Sequence, residues 1–172
     1  MTTVNGLPAH VLLVHAIVVL LPLAALLLVL SALWPAARAK LAGPNAILAV
    51  VVVILVPITT DAGEWLERHV GRTPLLRTHT ELGDTAIFVA LPVAVLALVV
   101  WWRHRESLRA GGTGRRAFLA PASTAVTVVL SVLAIAAAGA AVYDVYRIGE
   151  SGAQATWQGN FSATPAPGGA GH

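Results

Sequence analysis

The chain has 172 residues, of which 57% are hydrophobic and only 11% are charged, with a formal net charge of +3. Soluble domains carry about 25% charged residues, so this composition indicates an integral membrane protein. The absence of cysteine excludes disulfides, thiolate-bound iron–sulphur clusters, cysteine-ligated zinc and c-type haem attachment. No basic stripe interleaved with aromatic residues is present, so no nucleic-acid partner is predicted.

Four apolar runs are long enough to cross a bilayer, which takes about 20 helical residues. They predict spans at roughly 10–33, 45–66, 80–102 and 120–146. The predicted fold class is therefore all-α, a four-helix transmembrane bundle with up-and-down topology. In this division residues 1–9 form an N-terminal outer segment, residues 10–147 form the transmembrane domain, and residues 148–172 form a C-terminal outer segment with a disordered tail.

The first run begins with two histidines, His10 and His15. No Lys or Arg precedes the run, and it is too long for a signal-peptide core, so we expect a retained transmembrane helix. His15 lies about 9 Å into this helix. A neutral imidazole at that depth among Leu and Val side chains needs a partner, which predicts that His15 is a ligand or a proton carrier.

The other three runs carry polar side chains at the ends that up-and-down threading brings to the same side as His10. These side chains are Asp61 and Glu64 near the outer end of the second run, His69 after it, His79, Glu81 and Asp84 at the third, and Asp144 at the fourth. Ionisable groups in or near hydrocarbon are costly and mark functional sites by default. The sequence therefore predicts one polar layer built from all four helices.

Some members of this layer also fit ordinary roles on a helix surface. Glu64 with Arg68 has the i, i+4 spacing of a surface ion pair, and Asp144 with Arg147 has the i, i+3 spacing. His69 shares a helix face with Trp65 near the predicted membrane interface. These roles remain alternatives to ligand binding.

The basic residues predict the orientation of the bundle. Gly43-Pro44 is expected to begin helix two, and residues 103–116 are expected to form a flexible loop. The loops after helices one and three then contain seven Lys and Arg residues, namely Arg38, Lys40, Arg103, Arg105, Arg109, Arg115 and Arg116. The opposite side has only Arg68, Arg72, Arg77 and Arg147. The positive-inside rule predicts a multi-pass protein with both termini and the histidines outside.

Three kinds of function fit the polar layer. A b-type haem needs two imidazoles that project from different helices towards one iron; His15 and His79 meet that need, with His10 and His69 as further candidates. The inner half of the spans has no histidine, so one outer haem is the most that the sequence predicts.

The second kind is non-haem metal binding or proton handling. A divalent metal would need three or four ligands, for example His10, His15 and His79 with Glu81 or Glu64, whereas a proton relay needs only a chain of His and carboxylates. The third kind is a structural or assembly subunit without a cofactor, in which the polar layer only fixes the register of the helices.

Several segments resemble one bacterial family, domain of unknown function 2231, of predicted four-helix membrane proteins. The resemblance covers roughly residues 6–157 and is carried by the opening from Gly6 to His15, the segment Gly63-Glu64-Trp65-Leu66-Glu67, His79 with Leu82-Gly83, and the ending from Tyr146 to Ala153. The typical opening of the family is His-Pro-Leu-Leu-Val-His-Phe-Pro. Here Ala9 precedes His10, and Ala16-Ile17 replaces the final Phe-Pro.

The resemblance implies a protein of the bacterial cytoplasmic membrane. Some members of the family are joined to Rieske iron–sulphur domains or found beside them, which implies a redox partner such as a Rieske-type protein. The leading hypothesis is thus a membrane-bound b-type haem protein, with His15 and His79 as axial ligands, that acts as a redox carrier or partner subunit rather than as a stand-alone enzyme.

Overall fold

The computed structural model describes residues 3–113 and 123–159, most of which are helical. The helices are α1 (Ala9–Leu33), α2 (Pro35–Glu67), α3 (Pro74–Gly83), α4 (Ala86–Thr113) and α5 (Thr124–Trp157). A short antiparallel hairpin of β1 (Thr3–Val4) and β2 (Leu7–Pro8) precedes α1. The turn of this hairpin contains Asn5 and Gly6, both with positive φ.

The predicted fold class is confirmed. Four stretches of the described residues are long and apolar enough to cross a membrane, namely Ala9–Leu33, Pro35–Glu67, Pro74–Arg109 and Thr124–Trp157. The third stretch combines α3 with most of α4, and the chain bends between them at Asp84 and Thr85. The protein is therefore an all-α, four-span membrane bundle whose third span begins as a separate short helix.

The ends of the helices differ from the predicted spans. Helix α2 begins at Pro35, where a missing N–H costs nothing in the first turn, so Gly43-Pro44 lies inside the helix. Helix α4 continues through Thr113, so most of the predicted loop 103–116 is helical. Helix α5 continues to Trp157, well beyond the predicted end at 146. The disordered tail predicted for the C-terminus lies almost entirely outside the described residues.

Small side chains let the helices pack closely along the centre of the bundle. Helix α1 contacts α2, α4 and α5, and α2 also packs on α4. The core contains Leu21, Leu28, Val52 and Val93 surrounded by many alanines, all of them nearly inaccessible. In lipid, where no hydrophobic force drives helices together, this close approach supplies the van der Waals contact that holds them.

We call the end of the bundle at which α1 and α4 finish the basic end. Two arginines there form hydrogen bonds between neighbouring helices and helix ends. Arg38 donates to the carbonyls of Ser31 and Ala32 at 2.8 and 2.6 Å, and so satisfies acceptors that the last turn of α1 leaves without helical partners. Arg103 is only 4% exposed and donates to Thr127 Oγ1 at 2.8 Å, which ties α4 to α5.

Helix α3 positions the opposite end, which we call the histidine end. Thr73 caps α3, because its hydroxyl accepts a hydrogen bond from the Leu76 N–H at 3.1 Å as N-cap threonines do, and Pro74 takes the first helical position. Helix α3 packs mainly against α5. As a result, His79 is held between the last turns of α5 and the first turn of α1.

Candidate functional site

Two histidines meet at the histidine end of the bundle. His10 comes from the first turn of α1 and His79 from α3, and their ring centroids lie 6.3 Å apart with the ring planes at 75°. Both side chains are half-buried. The structure therefore brings together two of the four predicted histidine ligands, from two different helices.

Hydrogen bonds fix which nitrogen of each ring carries the proton. His10 Nδ1 lies 2.9 Å from the carbonyl oxygen of Thr59, which can only accept, so Nδ1 is the donor. His79 Nδ1 lies 3.1 Å from Ser151 Oγ. Ser151 Oγ also lies 2.9 Å from the Ile148 carbonyl. When Ser151 donates its single hydroxyl hydrogen to that carbonyl, it accepts from His79 Nδ1, and in this arrangement both rings have their free lone pair on Nε2.

Two glycines make room for these rings. A Cβ atom at Gly63 would lie 2.9 Å from His10 Cε1 and Nδ1, and one at Gly152 would lie 3.0 Å from His79 Cε1. Such distances are shorter than van der Waals contact, so any larger residue would displace the imidazole. Gly63 on α2 and Gly152 on α5 are therefore required for close approach.

Three cavities adjoin the pair, and each is lined by both His10 and His79. One, of about 60 Å³, continues into the bundle between apolar residues that include Ile17 and Val56. A second, of about 600 Å³, opens between α1, α3 and α5. A third, of about 390 Å³, opens towards the end of α2 and includes Arg72. The space around the two rings is thus open on three sides.

The other two predicted histidine ligands lie apart from this contact. His15 is exposed on α1, where its Nδ1 hydrogen-bonds the carbonyl of Val11, and it lines the 600 Å³ cavity with His10 and His79. His69 is exposed and stacks on Trp65 with ring centroids 4.1 Å apart. The predicted shared face of Trp65 and His69 is confirmed.

Four of the predicted carboxylates of the polar layer are exposed, namely Asp61, Glu64, Glu81 and Asp84. Glu64 lies 3.7 Å from Arg68, and Glu81 lies 2.8 Å from Arg77. The first of these is the ion pair that the sequence predicted. Both pairs are exposed, and pairs of this kind contribute little to stability. Among residues 3–113 and 123–159, no group of three His or acidic side chains is placed to hold a metal ion.

Asp144 is the one buried carboxyl among the residues that the structure covers, with 7% of its surface exposed. Its Oδ1 lies 2.8 Å from the hydroxyl of Thr85, a residue in the bend before α4, and the same hydroxyl lies 2.6 Å from the Leu82 carbonyl. Its Oδ2 has no partner among the described residues. The predicted Asp144–Arg147 ion pair is wrong, because the Arg147 guanidinium instead lies 5.8 Å from the centre of the Tyr143 ring.

We expect Asp144→Asn to stabilise the bundle. The amide keeps an oxygen for Thr85 and removes the carboxylate charge from apolar surroundings, where burial of a charge costs more than burial of a neutral amide. The midpoint of thermal unfolding in detergent should rise. Asp84→Asn, which changes an exposed neighbour, should leave the midpoint unchanged and serves as the control. A fall in the midpoint for Asp144→Asn would contradict the expectation.

The sequence reading missed four residues of this site, namely Thr59, Gly63, Ser151 and Gly152. Ser151 and Gly152 had been assigned to an outer segment beyond the last helix. Continuity of α5 was the signal that could have placed them, because no proline interrupts the chain between 122 and 164. With α5 continued, Ser151 and Gly152 fall two turns beyond Asp144, at the height of the histidines.

A comparison with known families now adds to the geometry. The model of a family described as predicted membrane protein (DUF2231) matches residues 6–165, a range that includes His10, His79 and all five helices. None of the curated proteins and none of the solved structures matches the chain. The match covers most of the chain and agrees with the resemblance found in its motifs. The chain belongs to the family of domain of unknown function 2231, a family of predicted membrane proteins.

Proposed function

We propose that the protein binds one b-type haem between His10 and His79 and passes electrons at the histidine end of the bundle. The observation that carries the proposal is the pair of imidazoles from α1 and α3, each with its free lone pair on Nε2, beside cavities on three sides. Haem iron held by two imidazoles supplies reversible one-electron chemistry.

The spacing of the two rings fits this ligand. Bonds from a metal to imidazole nitrogen are about 2 Å long, so two rings whose Nε2 atoms both faced one metal ion would have centroids about 6 Å apart. The observed separation is 6.3 Å. A second ring nitrogen that donates to a carbonyl or hydroxyl is typical of metal-binding histidine, and both His10 and His79 have such a bond.

The surroundings of the pair also fit a flat, largely apolar ligand with acidic edges. The cavity that runs into the bundle has apolar walls. The 390 Å³ cavity is lined by four carboxylates as well as by Arg68 and Arg72. Arg68 is paired with Glu64, which leaves Arg72 as the guanidinium that suits a carboxylate of the ligand. Gly63 and Gly152 leave the space beside each ring free of side chains.

The geometry favours His10 over His15 as the partner of His79. His10 is the ring in contact with His79, whereas His15 lies elsewhere on the 600 Å³ cavity. His15 Nε2 also has its lone pair free, since Nδ1 donates to a carbonyl. We assign His15 to the mouth of the cavity rather than to the iron.

The distribution of Lys and Arg supports an orientation with the histidine end on the outer side of the cytoplasmic membrane. A redox protein such as a Rieske-type protein would then exchange electrons with the chain at that face. Reporter fusions at each terminus test the orientation, because both should report the outer side.

An absorption spectrum tests the proposal directly. Protein purified in detergent from haem-replete cells should show a Soret band, and after reduction the sharp visible bands of six-coordinate haem, at one haem per chain. A haem-free preparation that takes up no haemin would refute haem binding. Elemental analysis of the same sample would then identify a metal bound without porphyrin.

A structural role is the second candidate, and the hydrogen bonds of the site favour it. His10 Nδ1 joins α1 to α2 through Thr59, and His79 Nδ1 joins α3 to α5 through Ser151. In this alternative the two histidines only hold the helix ends in register. Replacing either would then lower the unfolding midpoint of a colourless protein.

A further inference from the structure

An apolar groove lies between α2 and α4 near the basic end, away from His10 and His79. Its volume is about 800 Å³, and every residue that lines it is apolar or glycine, namely Gly43, Pro44, Ala46, Ile47, Val50, Val51, Leu98 and Trp101. We call it the α2–α4 groove. Several of its side chains, including Ile47 and Val51, are exposed, so in a bilayer the groove faces hydrocarbon.

An aromatic and a basic residue close one end of the α2–α4 groove. Trp101 packs against Gly43, where a Cβ atom would lie 3.4 Å from the indole Nε1. The guanidinium carbon of Arg105 lies 5.1 Å from the centre of the Trp101 ring, a cation–π distance. Tryptophan and arginine together mark the height of the lipid headgroups, so the groove extends from that height into the membrane.

The charge around this end is positive. Residues 34–60 contain no acidic residue, and residues 85–113 and 123–143 contain only Glu106, against five Lys and Arg residues in the same described ranges. Glu106 accepts a hydrogen bond from the indole of Trp102 at 3.0 Å, the side chain next to Trp101. A ligand that is anionic at one end and apolar along its length complements this surface.

We propose that the α2–α4 groove binds one anionic phospholipid. Its acyl chains follow Ile47, Val51 and Leu98, and its phosphate is held by Arg105, whose planar fork of N–H donors suits phosphate oxygens. The positive surroundings favour a headgroup with a net negative charge over a zwitterionic one. This site is independent of the histidine pair.

Native mass spectrometry of the full chain with added lipid tests the proposal. Phosphatidylglycerol and phosphatidylcholine with the same acyl chains are added in turn to delipidated protein. We expect one phosphatidylglycerol per chain, bound more tightly than phosphatidylcholine. Arg105→Gln should weaken the phosphatidylglycerol complex about fivefold, the effect of one basic residue near a membrane surface. It should weaken phosphatidylcholine less, because the choline cation already offsets the phosphate charge.

Matched variants separate the groove from general lipid contact. Val51→Trp fills the groove and should weaken both lipids, whereas Val129→Trp places the same bulk on an exposed position of α5 and should change neither. Arg77→Gln removes a charge at the histidine end and should also change neither. Because Arg105 is exposed, Arg105→Gln folds and tests the proposal even if Val51→Trp does not fold.

Two results would overturn the inference. One is equal binding of the two lipids together with no effect of Arg105→Gln. The other is a complex of two chains that Val51→Trp dissociates, because a second copy would then cover the groove in place of lipid. Loss or retention of the haem spectrum bears on neither result, so the two proposals are tested separately.

Discussion

Replacing His10 or His79 by alanine is expected to remove the six-coordinate haem spectrum, whereas His15→Ala and His69→Ala are expected to keep it. The reason is geometric, because among the histidines of residues 3–113 and 123–159 the two rings that meet are those of His10 and His79, at 6.3 Å between centroids. Each replacement deletes one of two Nε2 donors and leaves the iron with one imidazole. Absorption spectra of the reduced proteins, normalised to protein concentration, measure the effect.

His104→Ala provides the control, because His104 lies on α4 at the basic end. It should match the wild type in haem content and in unfolding midpoint. Loss of the spectrum in His15→Ala but not in His10→Ala would instead support His15 and His79 as the two ligands, as the sequence predicted. A spectrum that survives in both His10→Ala and His79→Ala would contradict a haem at this site.

Gly63→Ala and Gly152→Ala are expected to reduce haem content without deleting any ligand. The added methyl would lie 2.9 Å from the His10 ring or 3.0 Å from the His79 ring, so the imidazole must move. Displacement of a ligand that is held by a second hydrogen bond typically costs 10–100-fold in metal affinity. Titration of the haem-free protein with haemin measures the apparent affinity.

Gly139→Ala is the matched control, because Gly139 lies in α5 and a Cβ atom there would meet nothing within 4 Å. Alanine is favoured over glycine in a helix by about 1 kcal/mol, so the control should bind haemin normally and unfold at a slightly higher temperature. Wild-type affinity in both Gly63→Ala and Gly152→Ala would show that the rings are not confined as the structure has them.

Much of the fold was predictable from hydropathy alone, because crossing a bilayer demands long apolar helices. The four spans and their up-and-down order followed from that demand. The positions of the helix termini could not be predicted in this way. Hydropathy falls where the chain leaves the lipid, whereas the helix can continue beyond that point. Residues 35–44 of α2 and 147–157 of α5 are polar enough to have been assigned to loops, yet their backbones stay helical.

The sequence did not determine whether His10 or His15 faces His79. Five residues along a helix correspond to a rotation of about 140°, so the two rings point in well-separated directions. Depth along the helix, on which the prediction relied, favoured His15. The packing of α1 against α2 and α5 decides which of the two rings faces α3. Helix α1 is apolar on all sides, so the periodicity of its sequence does not indicate how it packs.

The carboxylates show a second limit of the same kind. Five acids were predicted to share one layer, and four of them lie on its exposed rim. Only Asp144 is buried, and its partner is the hydroxyl of Thr85 in the bend between α3 and α4, which no local spacing connects to it. Pairs such as Glu64–Arg68, which lie on one helix, were predictable because i, i+4 neighbours meet in any helix.

The hydrogen bonds that hold the His10 and His79 rings have different kinds of acceptor. The acceptor for His10 belongs to the main chain of residue 59, and every amino acid supplies that carbonyl, so point mutation cannot delete it. The acceptor for His79 is the hydroxyl of Ser151, which a single codon change can remove. Hence variation among descendants of this chain can remove the hydrogen bond of the His79 ring while the His10 ring keeps its acceptor, and the α5 side is where evolution has freedom to adjust the site.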